Sequence, residues 1–305
     1  MDRHLGGGQG LTRGALSRAL YAHPRGRLGL LLGPAVSWLL VFYIVALALL
    51  LLTSLWQQDV FTAEIVRKWT LSNYDKLLTG QDGLWLRVYG RTVLLATIVT
   101  LVDIALAFPL SWFMARVVSQ KWRTLMFLAI VVPLWSSILV RIFAWRTILG
   151  GQGLLNQFLI DIGLLDHGSS AFLYNERAIA ITWAYVWLPF MVLPIYTALE
   201  KIPHSYLEAS RDLGAGVFET FRRVILPLAF PGVLAGSIFV FSLTMGDFVA
   251  PQLVGGGSQV LGGAIKDRFG VAADFPFGAA LASLTLVTLV VFLTITRRTG
   301  ALENL

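Results

Sequence analysis

The sequence contains no cysteine, and its four histidines, His4, His23, His167 and His204, are far apart along the chain. Without cysteine, neither a disulfide framework nor a thiolate metal site can form. The isolated histidines have no spacing typical of metal ligands. We therefore predict that the chain binds no metal.

Charged residues are also scarce. They make up 13% of the 305 residues, whereas 56% are hydrophobic, and a soluble domain has about 25% charged residues. The mean hydropathy is +0.73. This composition indicates a protein whose solvent is a lipid bilayer, and it predicts one membrane domain without a large soluble domain.

Sequence motifs for the common chemistries are missing as well. No Gly-Lys dipeptide occurs, so the chain has no Walker A loop, and H-E-x-x-H and G-x-S-x-G are absent. The net charge of +7 is not accompanied by a nucleic-acid motif. We predict a protein that is not an enzyme, binds no cofactor itself and does not bind nucleic acid.

What the sequence does have is long apolar runs. Six of them reach the roughly 20 residues that a membrane helix needs. The first is too long for a signal peptide, so we predict that it is retained. The predicted spans are Leu28–Leu55, Thr92–Val117, Leu125–Ile148, Ala178–Leu199, Leu226–Phe248 and Ala279–Thr296.

Basic residues are distributed unequally between the two sides of these spans. The side that carries the N-terminus has 14 Lys and Arg with 6 acids, and the opposite side has 10 with 9 acids over a longer stretch. Cytoplasmic loops carry the excess of Lys and Arg. The sequence therefore predicts that both termini are cytoplasmic. The N-terminal side comprises residues 1–27, 116–123, 200–225 and 297–305; the opposite side comprises 56–91, 141–177 and 249–278.

A charged, amphipathic segment, "SYLEASRDLGAGVFETFRRVILP", separates spans four and five. Ser205 and Glu208 have the spacing of a capping box, which predicts a helix over Tyr206–Leu213. Gly214 predicts its end, because glycine accepts the left-handed conformation. A second helical piece is expected over Val217–Leu226, bending at Pro227.

This segment has two interpretations. It can lie on the lipid headgroups as an interfacial helix, or it can be a rigid knob that docks into a partner. Membrane binding improves with buried apolar area, so a helix of about eight residues favours the knob.

The spacing within the segment resembles a known pattern. Glu208-Ala209-Ser210, three residues, Gly214, nine residues and Val224-Ile225-Leu226-Pro227 are similar to the EAA loop of ABC importer permeases, with Ser210 and Val224 as departures. The resemblance implies an all-α membrane protein with six transmembrane helices and the type I ABC importer permease fold. It divides the chain into a tail (1–27), a first helix (28–56), a permease domain (87–296) with its coupling loop (200–227), and a second tail (297–305).

The resemblance also implies partners in a bacterial inner membrane. These are a second homologous permease that forms a heterodimer, an external solute-binding protein, and two ATPase subunits that use ATP and Mg²⁺. The residues that would couple to the ATPase are Tyr206, Leu207, Glu208, Ala209, Ser210, Asp212, Leu213 and Gly214.

Three further stretches resemble permeases of the spermidine/putrescine transport family, in particular its first permease. They are "SSILVRIFAW", "YVWLPFMVLPIYTALEKIP" and "GDFVAPQLVGG". The implied function is transport of a small cationic solute such as a polyamine. Relatives that carry opines or phosphonates leave another amino-acid-derived solute open.

A cation that crosses the membrane needs acids or aromatic faces. Asp247 is the leading candidate acid; alternatively it caps a helix end or pairs with Arg141. Asp103 lies deeper, and we expect it to be structural. The aromatic candidates could equally belong to interfacial belts. The candidate path residues are Trp183, Tyr185, Trp187, Phe241, Met245, Asp247 and Phe248.

Two other classes of membrane protein are alternatives to the permease. An ion-coupled secondary transporter predicts internal repeats with paired broken helices, and no repeat is evident. An intramembrane enzyme needs a nucleophile paired with a base, and no span supplies one.

Overall fold

The computed structural model describes residues 24–59 and 61–298. The predicted tails, residues 1–27 and 297–305, lie almost entirely outside them. The described chain divides into two units, before and after residue 54. The first contains helix α1 (Pro24–Ser54), an apolar helix with large exposed side chains such as Trp38 and Phe42.

The second unit is built almost wholly of helices. The only strands among its described residues are β1 (Gln57–Gln58) and β2 (Ile65–Val66), an antiparallel pair of two residues each. The remaining elements are α2 (Ser72–Thr79), α3 (Leu84–Arg116), α4 (Gln120–Trp135), α5 (Ile138–Leu149), α6 (Leu154–Asp161), α7 (Glu176–Glu200), α8 (His204–Asp212), α9 (Val217–Thr220), a π-helical turn (Phe221–Ile225), α10 (Leu226–Gly246), α11 (Val249–Val254), α12 (Leu261–Phe269) and α13 (Phe275–Arg298), with short 3₁₀ turns at Gly80–Gly83 and Ser170–Phe172.

Helices α3, α7 and α10 form the core of this unit. Between α7 and α10 the backbones come close, because Gly232 and Gly236 face Pro194 and Met191 without a side chain in between. Ser111 on α3 donates a hydrogen bond of 3.1 Å to the Val192 carbonyl of α7. Small residues of this kind allow membrane helices to pack tightly.

Six helical segments are long and apolar enough to cross a membrane, as predicted, and most limits agree within a few residues. The second span begins earlier than expected, at Leu84 rather than Thr92. The fifth begins at Val217 rather than Leu226, and the third differs most, since the candidate span is Ile138–Asp161 rather than Leu125–Ile148. The predicted continuous helix Leu125–Ile148 is wrong, because Ser136 and Ser137 separate α4 from α5.

Candidate coupling loop and translocation path

The loop between spans four and five contains the predicted short helix, but its start is not the predicted one. Helix α8 begins at His204, with Pro203 as its N-cap, and no side chain caps it. Ser205 lies inside the helix, so the capping box predicted for Ser205 and Glu208 is wrong. The Tyr206 amide donates to the Pro203 carbonyl at 3.2 Å instead.

The end of α8 agrees with the sequence. Gly214 has a φ of +81°, the left-handed conformation that glycine accepts without strain. The Gly214 amide donates to the Arg211 carbonyl at 2.8 Å, and the Ala215 amide donates to the Ser210 carbonyl at 3.1 Å. These two bonds form a Schellman motif, which fixes the direction in which the chain leaves the helix.

A hydrogen bond between two hydroxyl groups closes the loop. Ser210 Oγ lies 2.9 Å from Thr220 Oγ1, and both residues are buried. Ser210 is one of the two departures from the family pattern. In the folded chain it ties α8 to α9, so the two short helices form one unit.

The outer face of this unit is apolar and exposed. Leu213 is 87% exposed and Val217 90%, and Phe218 and Tyr206 are also largely uncovered. A groove of about 410 Å³ runs along α8. Of the other predicted coupling residues, Leu207 packs against the core and Ser210 is buried, whereas Glu208, Ala209, Asp212 and Gly214 are exposed.

Arg116, which the sequence analysis did not single out, anchors the loop to the bundle. At the end of α3, its guanidinium donates to the carbonyls of Leu199 and Ile202, just before α8. On the other side of the loop, the Phe221 ring meets the Phe108 ring edge-on at 5.6 Å. The π-helical turn there continues directly into α10, so the irregularity lies before Pro227 rather than at it.

At the opposite end of α10, Asp247 is buried and has partners within the chain. Its Oδ2 accepts a bond of 2.6 Å from Trp183 Nε1, and its Oδ1 accepts a bond of 2.7 Å from the Val249 amide at the start of α11. Asp247 is thus the residue that follows α10, and its side chain binds the first amide of α11, whose N-cap is Phe248. The alternative pairing with Arg141 is wrong, since Arg141 donates to the Val186 carbonyl.

The other predicted path residues do not form one cluster. Phe241 and Met245 are buried together, and Phe241 stacks on Phe292 with centroids 4.4 Å apart. Trp187 is buried in the other cluster. Tyr185 and Phe248 are 43% and 38% exposed, and they lie beside Trp145 and Lys266 respectively.

Asp103 is fully buried within α3, and neither of its carboxylate oxygens has a hydrogen-bond partner in the described part of the chain. The structural role expected of Asp103 from the sequence stays a prediction. Within residues 24–59 and 61–298, no group of three histidines or acids could hold a metal ion.

Comparisons with known proteins identify the family of this chain. A family model described as "Binding-protein-dependent transport system inner membrane component" matches residues 83–300. The inner membrane ABC transporter permease protein YdcU of Escherichia coli K12 is 36% identical, covering 90% of each chain. The spermidine/putrescine transport system permease protein PotB of the same strain is 37% identical, covering 83% of this chain and 90% of PotB.

A solved structure has the same fold. It is a bacterial alginate ABC transporter in complex with an alginate pentasaccharide-bound periplasmic protein, with a TM-score of 0.70 and 15% identity over 93% of this chain and 97% of that one. The family match covers most of the chain, including the loop with Gly214 and the core of α3, α7 and α10. The chain therefore belongs to the inner membrane component family of binding-protein-dependent transport systems.

Proposed function

We propose that the chain forms half of the translocation path of an ATP-driven importer for a small cationic solute, with a polyamine such as spermidine or putrescine as the solute. The observation that carries this proposal is the 37% identity to PotB over 83% of the chain. The other half of the path would come from a second, homologous permease. An external binding protein would deliver the solute.

The unit formed by α8 and α9 is the proposed dock for an ATPase subunit. Two such subunits would bind ATP and Mg²⁺, and this chain would hydrolyse nothing. The support is the exposed apolar face of Leu213, Val217 and Phe218, because large apolar patches on a polar loop mark interaction sites. The Schellman turn and the Ser210–Thr220 bond give the unit the rigidity that transmission of movement requires.

Both termini are assigned to the cytoplasm of a bacterial cell, with the six spans in its inner membrane. The support is the excess of Lys and Arg on the N-terminal side. This orientation also places the α8–α9 unit on the side where ATP is available.

Two measurements test the proposal. Purification in mild detergent should recover this chain with a second permease and two copies of an ATPase. The reconstituted complex, supplied with its binding protein, should import labelled spermidine or putrescine and hydrolyse ATP as it does so. A chain purified without an ATPase would contradict the assembly, and import of an opine or phosphonate instead of a polyamine would contradict the solute.

A further inference from the structure

Helices α4 and α5 follow one another along the same neighbour, α7. The candidate span that includes α5 is Ile138–Asp161, but α5 itself has only 12 residues, about 18 Å, whereas the hydrocarbon core is about 30 Å thick. Arg123 in the first turn of α4 pairs with Glu200 at the end of α7 at 3.3 Å, so α4 lies beside the part of α7 that α5 does not reach. The helix break between α4 and α5 comprises Ser136 and Ser137, next to Trp135 at the end of α4, and the two serines have extended ψ angles of 152° and 135°.

Contacts with α7 show how deep the helix break lies. Before it, the ring of Phe127 is 6.2 Å from the ring of Tyr196. After it, Arg141 Nη1 donates to the Val186 carbonyl at 3.3 Å. The stretch of α7 between Val186 and Tyr196 includes the middle of that helix. The helix break is therefore near the middle of the membrane.

A helix break at this depth leaves polar backbone groups to be satisfied. The Pro133 carbonyl accepts bonds from both the amide and the hydroxyl of Ser136, at 3.1 and 2.7 Å. The other carbonyls in the last turn of α4 lose the amides that a continuous helix would supply four residues on. A backbone carbonyl without a hydrogen bond costs too much free energy in hydrocarbon. Non-helical backbone therefore occurs only where protein or a water-filled cavity covers it.

Among the described residues of the second unit, nothing covers the helix break. Trp135 is 87% exposed, Ser136 and Ser137 are exposed, and no residue of α4 is buried. Tryptophan in membrane proteins concentrates at the interfaces rather than in the middle. An exposed indole with two hydroxyls at mid-depth is thus a surface suited to water and polar solutes rather than to lipid.

The chemistry of the helix break favours a cation. The end of α4 presents carbonyl oxygens and the negative end of its dipole, and such half-helix ends coordinate cations in transporters. The serine hydroxyls add acceptors, and the face of Trp135 can bind an ammonium group by a cation–π interaction. The opposing features are the amides at the start of α5 and Arg141 one turn further on.

We propose that the helix break lines the water-filled path and is a binding station for an ammonium group of the solute. The station would hold the group weakly, as release requires. Its identification as a station on a solute path rests on the proposed function. Its preference for positive charge rests on the geometry alone.

The absence of cysteine from the sequence makes a direct test possible. Ser136→Cys and Ser137→Cys are introduced singly into the assembled transporter in membrane vesicles. Each is treated with small methanethiosulfonate reagents, one with a quaternary ammonium and one with a sulfonate, and labelling of this chain is followed on gels. Val287 is 55% exposed in the middle of α13, so Val287→Cys is the control for a position that faces lipid. Leu164 is 69% exposed in a loop, so Leu164→Cys is the reference for a position that faces water.

We expect both serine positions to react and Val287→Cys not to react. Relative to Leu164→Cys, the cationic reagent should be favoured by about threefold or more, the effect of a helix terminus on two opposite charges. Reaction no faster than at Val287→Cys, or an equal ratio for the two reagents, would overturn the proposal. If the charge preference is found but spermidine neither slows labelling nor is imported, the station stands and the proposed polyamine is wrong.

A second test uses the indole. Trp135→Leu should raise the KM for polyamine import several-fold, because the aromatic face is lost, whereas Trp135→Phe should retain most of the affinity. Trp122→Leu, at a 59% exposed position near the start of α4, is the matched control and should leave KM unchanged. An unchanged KM in Trp135→Leu would contradict a role for the ring.

Discussion

The indole Nε1 of Trp183 donates a hydrogen bond of 2.6 Å to Oδ2 of Asp247. This bond joins the middle helix of the core, α7, to the point where α10 ends. The second oxygen of Asp247 holds the first amide of α11 at 2.7 Å. One buried carboxylate therefore joins three helices, and a role for it in the solute path stays a prediction.

A structural role for Asp247 predicts a specific pattern of losses. In Asp247→Asn one oxygen becomes an amide nitrogen, so one of the two N–H donors loses its acceptor, at a cost of about 1–3 kcal/mol. Stability in detergent, measured by thermal unfolding, should fall. Import of a dication and of a neutral analogue should fall equally, whereas a selective loss of the dication would show that Asp247 meets the solute.

Trp183→Phe is the matched control for this bond, since it removes the N–H and keeps a ring. The double variant Trp183→Phe/Asp247→Ala should lose less stability than the losses of Trp183→Phe and Asp247→Ala added together, because each single change removes the Trp183–Asp247 bond. Strict additivity of the two losses would contradict the coupling.

Gly214 allows a prediction about transmission through the loop. Its φ of +81° costs a residue with a Cβ about 1–2 kcal/mol, and a β-branched residue more. No atom lies within 4 Å of a Cβ placed there, so only the backbone conformation is affected. Gly214→Val should insert into the membrane normally but import little solute, as measured in proteoliposomes.

Gly214→Asn is the control at the same position, because asparagine tolerates the left-handed conformation. It should retain most of the import activity. Import at the wild-type rate by Gly214→Val would show that the shape of this turn is not needed for coupling.

The Ser210–Thr220 bond makes a different prediction, in which a second change restores stability but not coupling. Ser210→Ala leaves the buried hydroxyl of Thr220 without its partner, at a cost of about 1 kcal/mol or more. Replacing both residues, as Ser210→Ala/Thr220→Val, removes the unpaired group and should recover stability, but ATPase coupling should stay low because the bond between α8 and α9 is still missing. Recovery of coupling in the double variant would mean that this bond is not needed to hold the α8–α9 unit together.

The exposed face of the α8–α9 unit is predicted to carry binding energy. Phe218→Ser and Leu213→Ser should each weaken the affinity for the ATPase by about 30-fold, the effect of losing a hot-spot contact of 2 kcal/mol. Titration of the purified permease pair with the ATPase measures this loss. Leu164→Ser, at an exposed position in the loop between α6 and α7, should leave the affinity unchanged, and equal losses at all three sites would indicate a general defect.

How much of this could be predicted from the sequence depends on the range over which each signal acts. The number of spans, most of their limits and the end of α8 were predicted correctly because hydropathy and the φ preference of Gly214 are local. The partner of Asp247 was not predicted, because Trp183 is distant in the sequence and only folding brings the two together. The capping box at Ser205 was wrong because Pro203 begins the helix two residues earlier.

The helix break at Ser136 had a signal that was overlooked. Pro133 removes an amide from the helix, and two serines follow within four residues. Mean hydropathy over a window of about 20 residues hides such a short polar stretch, so the third span appears continuous in the sequence. The pairing of Ser210 with Thr220 had no sequence signal, since a hydroxyl predicts the need for a partner but not which partner.

The close packing of α7 against α10 leads to the last prediction. A Cβ at Gly232 would lie 2.6 Å from the Cβ of Ala198 and 2.6 Å from the carbonyl oxygen of Pro194. Gly232→Ala must therefore push the two helices apart, and overpacking of this kind costs about 1–3 kcal/mol. Thermal unfolding in detergent should occur at a lower temperature than in the wild type.

Two further variants separate the clash from a general effect of alanine. Gly246→Ala, at the end of the same helix, has no atom within 4 Å of the new Cβ and should unfold like the wild type. Adding Ala198→Gly to Gly232→Ala removes one of the two clashes while the Pro194 carbonyl remains, so stability should recover only in part. Full stability of Gly232→Ala alone would show that α7 and α10 can separate freely, and a movement that depends on their rigid contact could then not be transmitted from the loop to the membrane.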